Sequence, residues 1–186
     1  MLQVKHLTIT HRKDLTTLVE DLNFVLGPGD RAALIGEEGN GKSTALKLLY
    51  DPALVAPYAE WQGEISPAGL VKGYLAQELT EEERALSAGR FARSSPAFRA
   101  AGAGELHRLC QRLGLDAQLF HACRPMSSLS GGERLKLRLA LLMLEQPDVL
   151  LLDEPSNDLD LPGLQALERF LLSCPVPVLY VSHDEA

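Results

Sequence analysis

The chain has 186 residues, 46% of them hydrophobic, and a formal net charge of -7 at pH 7. This length fits one domain, or a main layer with a small subdomain, and the hydrophobic content is ample for a sizeable core. The longest apolar runs fall far short of the roughly 20 residues that a membrane-spanning helix needs. The acidic balance argues against non-specific nucleic-acid binding by the whole surface.

The cysteines indicate neither a disulfide framework nor a zinc site, because Cys110, Cys123 and Cys174 are odd in number, widely spaced and without a CxxC pair. The opening MLQVKHLTITH alternates polar and apolar residues and lacks the apolar block of a signal peptide. We therefore expect a reduced, cytoplasmic setting.

The N-terminal third predicts strands and then a helix. Residues 4–10 alternate, residues 18–26 are mixed apolar, and residues 32–35 suit a short buried strand. The first two segments predict an antiparallel β region, and GPGD predicts a turn before residues 32–35. After a glycine-rich loop, STALKLLY is built of helix formers and stops before Pro52.

The rest of the chain alternates apolar runs with helical stretches. Residues 71–75 predict a strand, and residues 79–128 predict a small helical subdomain broken at SSP and AGAG. LKLRLALLML lacks β-branched residues and predicts a helix of about fifteen residues. The runs 149–152 and 176–181 flank another helical stretch, which predicts an α/β fold with a mostly parallel sheet.

GEEGNGKST, residues 36–44, follows a predicted strand and opens a predicted helix. The spacing Gly36-x-x-x-x-Gly41-Lys42-Ser43 is that of a P-loop, in which glycines let backbone N–H groups turn inward around phosphate oxygens. Lys42 is expected to reach the β- and γ-phosphates, and the Ser43 hydroxyl to bind Mg²⁺. A glycine-rich turn without a ligand is the structural alternative.

Asp153 ends the apolar run VLLL, at the edge where parallel sheets bind ligands. There it is expected to hold Mg²⁺, directly or through water, while Glu154 is placed to polarise an attacking water. A solvated loop is the alternative for such a pair when no P-loop accompanies it.

LSGGE, residues 129–133, begins a predicted helix with Ser130 and Glu133 at capping-box spacing. Helix capping alone is one interpretation, but adjacent glycines cost helix stability and expose N–H groups that can bind an anion. With this motif the chain resembles the ATP-binding cassette (ABC) family. The resemblance covers nearly all residues in family order: GEEGNGKST, Gln77 in GYLAQE, LSGGE, the Walker B segment VLLLDEP, the D-loop SNDLD and His183 in VSHDE.

The resemblance implies a P-loop ATPase that works with ATP and Mg²⁺ as a head-to-tail dimer, each nucleotide held between one P-loop and the partner's signature. It implies Glu154 as general base, His183 as sensor of the γ-phosphate, and Ser43, Gln77 and Asp153 at the metal. The implied ATP-binding residues are Gly36, Glu37, Glu38, Gly39, Asn40, Gly41, Lys42, Ser43 and Thr44, and the signature residues acting in trans are Leu129, Ser130, Gly131, Gly132 and Glu133.

DEPSNDLD and GYLAQE look like the soluble ABC-F branch, whose tandem cassettes act at the ribosome, in some cases conferring antibiotic resistance. The resemblance thus implies a second cassette as partner, in a homodimer or a paired half, and the ribosome or its RNA. A membrane transporter subunit, or a nucleotide-binding module with little turnover, are the alternatives. We expect one cassette over residues 1–186, with a nucleotide-binding core at 1–78 and 129–186, lacking the family's C-terminal end.

Several residues depart from the ABC-F pattern. Asp158 stands where His is usual, Glu37 and Glu38 replace a neutral pair, and the position of the adenine-stacking aromatic falls near His11 or Arg12. The segment from 84 to 124 is basic, for which a solvated helical face and a nucleic-acid contact are both open. Its arginines are Arg84, Arg90, Arg93, Arg99, Arg108, Arg112 and Arg124.

Overall fold

The computed structural model describes residues 1–37 and 39–182 and divides the chain into two compact units. The first comprises Met1–Tyr74 and Asp148–Glu154 with the described residues from Cys174 onward; the second comprises Leu75–Pro147 and Pro155–Ser173. The second unit thus holds the expected helical segment 79–128 together with further helices that precede and follow the Walker B segment in the sequence. The single cassette with its core and subdomain stays a prediction.

The strands of the described chain are β1 (Leu2–His11), β2 (Thr17–Leu26), β3 (Arg31–Ile35), β4 (Ala59–Ser66), β5 (Lys72–Leu75), β6 (Val149–Asp153) and β7 (Val178–Ser182). The α-helices are α1 (Lys42–Tyr50), α2 (Glu81–Ala85), α3 (Ala88–Ser94), α4 (Pro96–Ala100), α5 (Ala103–Leu113), α6 (Gly131–Leu144) and α7 (Leu161–Ser173). Short 3₁₀ turns cover Pro52–Leu54, Ala117–His121 and Met126–Ser128.

An antiparallel sheet in the order β2-β1-β4 forms the N-terminal part of the first unit. It confirms the predicted antiparallel region, but its third strand was not predicted. The sequence of β4, AEWQGEIS, shows no clean apolar alternation and contains Gly63. Gly63 has φ +117°, and a Cβ there would lie 2.6 Å from the carbonyl oxygen of His6, so pairing with β1 rather than local preference makes this segment a strand.

A second sheet has the order β3-β7-β6-β5, with β3, β7 and β6 parallel. All five residues of β6 are buried, as expected for a continuous apolar run inside a parallel sheet. The expectation that β3 is buried was wrong, because β3 is half-buried and Ile35 is 55% exposed. The predicted α/β class with a mostly parallel sheet is confirmed.

Helix α1 packs against β2 of one sheet and against β6 and β7 of the other. Its leucines Leu46, Leu48 and Leu49 are fully buried in a core shared with apolar residues of β1, β6 and β7. The position of α1 is therefore fixed by apolar contacts on both sides, and this fixes the loop that precedes it.

The second unit is helical. The predicted helix of about fifteen residues is α6, which has 14 residues and contacts α4, α5 and α7. Across the described part of the chain, no helix has both the length and the apolar character that crossing a membrane requires.

Truncating a leucine of α1 tests this core. Leu46 has no exposed surface, so Leu46→Ala should lower the free energy of unfolding by about 3 kcal/mol. Leu172→Ala is the matched control, because Leu172 is also on a helix but 77% exposed, and it should cost less than about 0.5 kcal/mol. Urea unfolding measures both. Equal losses in the two variants would contradict the assignment of α1 to the core.

Candidate nucleotide and magnesium site

The predicted P-loop connects the end of β3 at Ile35 with the start of α1 at Lys42. Gly39 and Gly41 have φ +85° and +73°, in the left-handed region that glycine adopts without steric cost. Glu38 lies outside the described residues. The strand, glycine loop and helix thus follow in the order that the sequence predicted.

Gly41 is also required by a close contact. A Cβ at this position would lie 2.6 Å from the carbonyl oxygen and 2.8 Å from the Cβ of Leu18, which is on β2. No atom of the described residues lies within 4 Å of the corresponding position on Gly39. The antiparallel sheet therefore supports the P-loop from behind at Gly41, while Gly39 serves only the backbone conformation.

Lys42 lies along the inside of the loop. Its ammonium donates hydrogen bonds to the carbonyl oxygens of Gly36 and Glu37, each at 2.6 Å, and the residue is only 9% exposed. The first N–H groups of α1 have no partners within the helix, and the helix dipole makes this end favourable for an anion. The lysine and the helix terminus therefore concentrate positive charge at the loop.

A cavity of about 400 Å³ opens beside this loop. Leu18 and Glu20 of β2 line it on one side, and Gly36, Asn40 and Lys42 on the other. The volume is in the range of small-molecule pockets.

Ser43 and Asp153 meet at the adjacent edge of the sheet. The Ser43 hydroxyl donates to Oδ1 of Asp153 at 2.7 Å, and the Tyr74 hydroxyl donates to Oδ2 at 3.0 Å. Asp153 is 2% exposed. A serine hydroxyl beside a carboxylate is a set of hard oxygen donors, which suits Mg²⁺ when substrate phosphates complete its coordination. The residues therefore fit the predicted metal.

Glu154 follows directly after β6 and is 3% exposed. Its φ of +47° is uncommon for a residue with a side chain, and such conformations cluster at functional sites. Glu154 follows Asp153 directly in the sequence. Its burial and its backbone conformation restrict the orientation of its carboxylate.

The other predicted catalytic residues are Gln77 and His183. Gln77 belongs to the second unit, two residues after the end of β5. The carbonyl of Ala76, just before it, accepts a hydrogen bond from Arg138 of α6. His183 lies outside the described residues, and the roles of both residues stay predictions.

The signature residues begin α6 as predicted. Ser130 is the N-cap and Glu133 completes the capping box, with the Ser130 N–H donating to Glu133 at 2.9 Å and the Glu133 N–H donating to the Ser130 hydroxyl at 3.2 Å. Arg124 also donates to Glu133 at 2.7 Å. The backbone hydrogen bond from Ser130, and secondly Arg124, lower the pKa of Glu133 below its usual 4.5.

The signature glycines have a packing role that their sequence does not show. A Cβ on Gly131 would lie 2.1 Å from the carbonyl oxygen of Asp158, and one on Gly132 would lie 3.4 Å from the Cα of Gly163 on α7. Exposure of N–H groups was the expected reason for these glycines; close contact with the D-loop is a sufficient reason by itself. Asp158 also pairs with Arg134 at 3.6 Å.

His11 and Arg12, at the predicted base-stacking position, both have partners. His11 Nδ1 lies 2.8 Å from Oδ1 of Asp14, and the centroid of the His11 ring lies 6.5 Å from that of Tyr58. Arg12 donates to the carbonyl of Ala59. These contacts fix the turn between β1 and β2.

The basic segment is partly neutralised. Arg84 forms an ion pair with Glu78 and Arg124 one with Glu133, both at the helical unit's surface. A solvated helical face and a nucleic-acid contact both stay hypotheses for this segment.

Tyr74 is the site residue that sequence reasoning missed. It lies in GYLAQE, three residues before Gln77, on a strand that is next to β6 in the sheet. The adjacency of the two strands was the signal that could have found it, because it places Tyr74 beside VLLLD.

Known proteins are similar to this chain in sequence and in fold. Residues 19–157 match the sequence profile of the family described as ABC transporter. The chain is 35% identical to the ribosome protection protein VmlR of Bacillus subtilis (strain 168), over 90% of the chain and 29% of VmlR. It is 32% identical to the erythromycin resistance ATP-binding protein MsrA of Staphylococcus epidermidis, over 95% of the chain and 33% of MsrA.

Among solved structures, the dimeric bacterial ABC transporter cassette MJ0796 is similar, with a TM-score of 0.71 at 19% identity over 99% of this chain and 88% of that one. At this identity the likeness shows the fold. The chain spans about a third or less of the length of the curated relatives it matches.

Alanine substitutions at the two left-handed glycines separate strain from steric contact. Gly39→Ala should lower the free energy of unfolding by about 1 to 2 kcal/mol, the cost of a left-handed residue with a Cβ. Gly41→Ala adds the clash with Leu18 and should cost clearly more. Urea unfolding without nucleotide measures both, and equal losses would show that β2 does not support the loop.

The charge of Glu133 should make stability depend on pH. Because its folded pKa is lowered, the carboxylate stabilises the fold above pH 4.5 and loses this effect as the pH falls through the folded pKa. Glu133→Gln should therefore be less stable than the wild type by up to about 1 kcal/mol at neutral pH, with the difference shrinking in acid. Unfolding measured across pH tests this, with Glu82→Gln as the control for loss of an exposed carboxylate. A difference that does not change with pH would contradict it.

Proposed function

The chain belongs to the ATP-binding cassette family, with relatives in its ABC-F branch, and from this premise we propose that it binds and hydrolyses ATP at the P-loop. The observation that carries the proposal is the hydrogen bond from Ser43 to Asp153, which joins the P-loop helix to the end of β6. It supports the proposal because it joins the hydroxyl next to Lys42 with a buried carboxylate, which are the residue types that a P-loop uses to bind phosphates and Mg²⁺.

Each of these residues has a distinct part in binding. Lys42 exchanges its loop carbonyls for phosphate oxygens, and the N–H groups at the start of α1 hold the remaining charge. Ser43 and Asp153 would hold Mg²⁺, which would supply positive charge next to the phosphates. The Glu37 carboxylate is exposed to solvent, whereas a carboxylate turned towards the phosphates would repel them.

Glu154 is the proposed general base. A carboxylate next to the metal-binding aspartate, buried and fixed by its backbone, can orient a water molecule for attack on the γ-phosphate and accept its proton. Gln77 and His183 complete this set by their match to the family motifs.

The active species is proposed to be a head-to-tail dimer of cassettes. The partner's signature would supply Ser130 and the N-terminus of α6, a helix end suited to an anion. MJ0796, described as a dimeric cassette, supports this assembly by its similar fold.

The proposed place of action is the ribosome, in the cytoplasm. DEPSNDLD and GYLAQE match the ABC-F pattern, and the names of VmlR and MsrA connect relatives with ribosome protection and erythromycin resistance. The exposed arginines of the second unit offer contacts for ribosomal RNA phosphates.

The Glu154→Gln variant tests both ATP hydrolysis and association with ribosomes. The variant should bind ATP but release phosphate at least about 100-fold more slowly, because a general base contributes roughly that much. In a lysate with ATP and Mg²⁺ the engaged state should then accumulate and sediment with ribosomes.

Lys42→Ala is the control, because it should lose ATP binding and therefore also co-sedimentation. Sedimentation with membranes would support the transporter alternative instead. Phosphate release that is negligible in the wild type would leave a nucleotide-binding module and contradict the ATPase.

A further inference from the structure

We propose that Tyr74 is a positioning residue for the magnesium site, holding the carboxylate of Asp153 in the orientation that metal binding requires. The inference rests on the proposed function and deepens it. Tyr74 is not a metal ligand in this account; it acts through Asp153.

The first observation is how the carboxylate of Asp153 shares its oxygens. Ser43 donates to Oδ1 and Tyr74 donates to Oδ2, so each hydroxyl binds a different oxygen of the same carboxylate. A serine hydroxyl can offer an oxygen lone pair to Mg²⁺ and still donate its proton to Asp153. With Tyr74 donating to the other oxygen, both ends of the carboxylate would stay held while the metal is bound.

Burial increases the value of this hydrogen bond. Asp153 is 2% exposed, so water can do little to replace a donor that is lost, and an unsatisfied buried carboxylate oxygen is costly. Hydrogen bonds to the groups around a metal commonly set its affinity, because they hold each ligand in one orientation.

The ring of Tyr74 is itself held in place. It stacks on Tyr50, with ring centroids 5.0 Å apart and planes 24° apart. Tyr50 is the last residue of α1, and Ser43 is in the first turn of the same helix. One helix therefore supports Asp153 twice, directly through Ser43 and through the Tyr50 and Tyr74 rings.

The test is Tyr74→Phe, which removes the hydroxyl and keeps the stacked ring. Binding of a fluorescent, non-hydrolysable ATP analogue is titrated with Mg²⁺ and measured again in EDTA. The Mg²⁺ concentration for half-maximal binding should rise about tenfold, the lower end of the effect of such supporting groups. Affinity in EDTA should equal that of the wild type, which a general structural defect would not allow.

Tyr50→Phe is the matched control, because it removes a hydroxyl from the other ring of the same pair and should leave the Mg²⁺ dependence unchanged. A double-mutant cycle with Asp153→Asn adds a second measurement. The effect of Tyr74→Phe should disappear in the Asp153→Asn background, because the carboxylate that it positions is gone.

The outcomes separate this inference from the proposed function. Wild-type binding that depends on Mg²⁺, together with an unchanged dependence in Tyr74→Phe, would overturn the role of Tyr74 alone. An equal effect of Tyr74→Phe with and without Asp153 would also overturn it. Failure of the wild type to bind the analogue would overturn the proposed function and the inference with it.

Discussion

The hydrogen bond between the Ser43 hydroxyl and the Asp153 carboxylate is the contact on which the rest of the site depends. This contact requires that α1 start close to the edge of the sheet at which β3 ends, and that β6 end at the same edge. The buried leucines of α1 and the buried run of β6 supply that registration, since both belong to one core. A polar site is thus placed by apolar packing, whose free energy does not depend on the ligand.

Close backbone contacts impose a second constraint. Gly41 contacts the backbone of Leu18, and Gly131 contacts the backbone of Asp158. Gly41 is the N-cap of α1 and Gly131 is the first residue of α6, and at both positions another segment comes too near for a side chain. At Gly41 the left-handed backbone conformation and the close approach of Leu18 favour the same residue.

Much of the site could be predicted from sequence because its signals are local. The P-loop spacing, the apolar run before Asp153 and the capping box of Ser130 and Glu133 each lie within a few residues of one another. The contacts of Tyr74 with Asp153 and of Leu18 with Gly41 lack such a local signal. The first depends on the order of strands within one sheet, and the second joins the loop after β3 to a strand of the other sheet. The strand β4 was missed for the same reason: its Gly63 fits only against β1, a pairing that no periodicity reveals.

The central claim is that backbone N–H groups of the P-loop bind the phosphates of ATP. Hydrogen–deuterium exchange with and without ATP and Mg²⁺ tests this most directly, because it reports on those N–H groups. The account predicts slower exchange in the peptide that covers the P-loop and the first turn of α1, and in the peptide that contains Asp153. Unchanged exchange in the loop, with protection elsewhere in the chain, would contradict it.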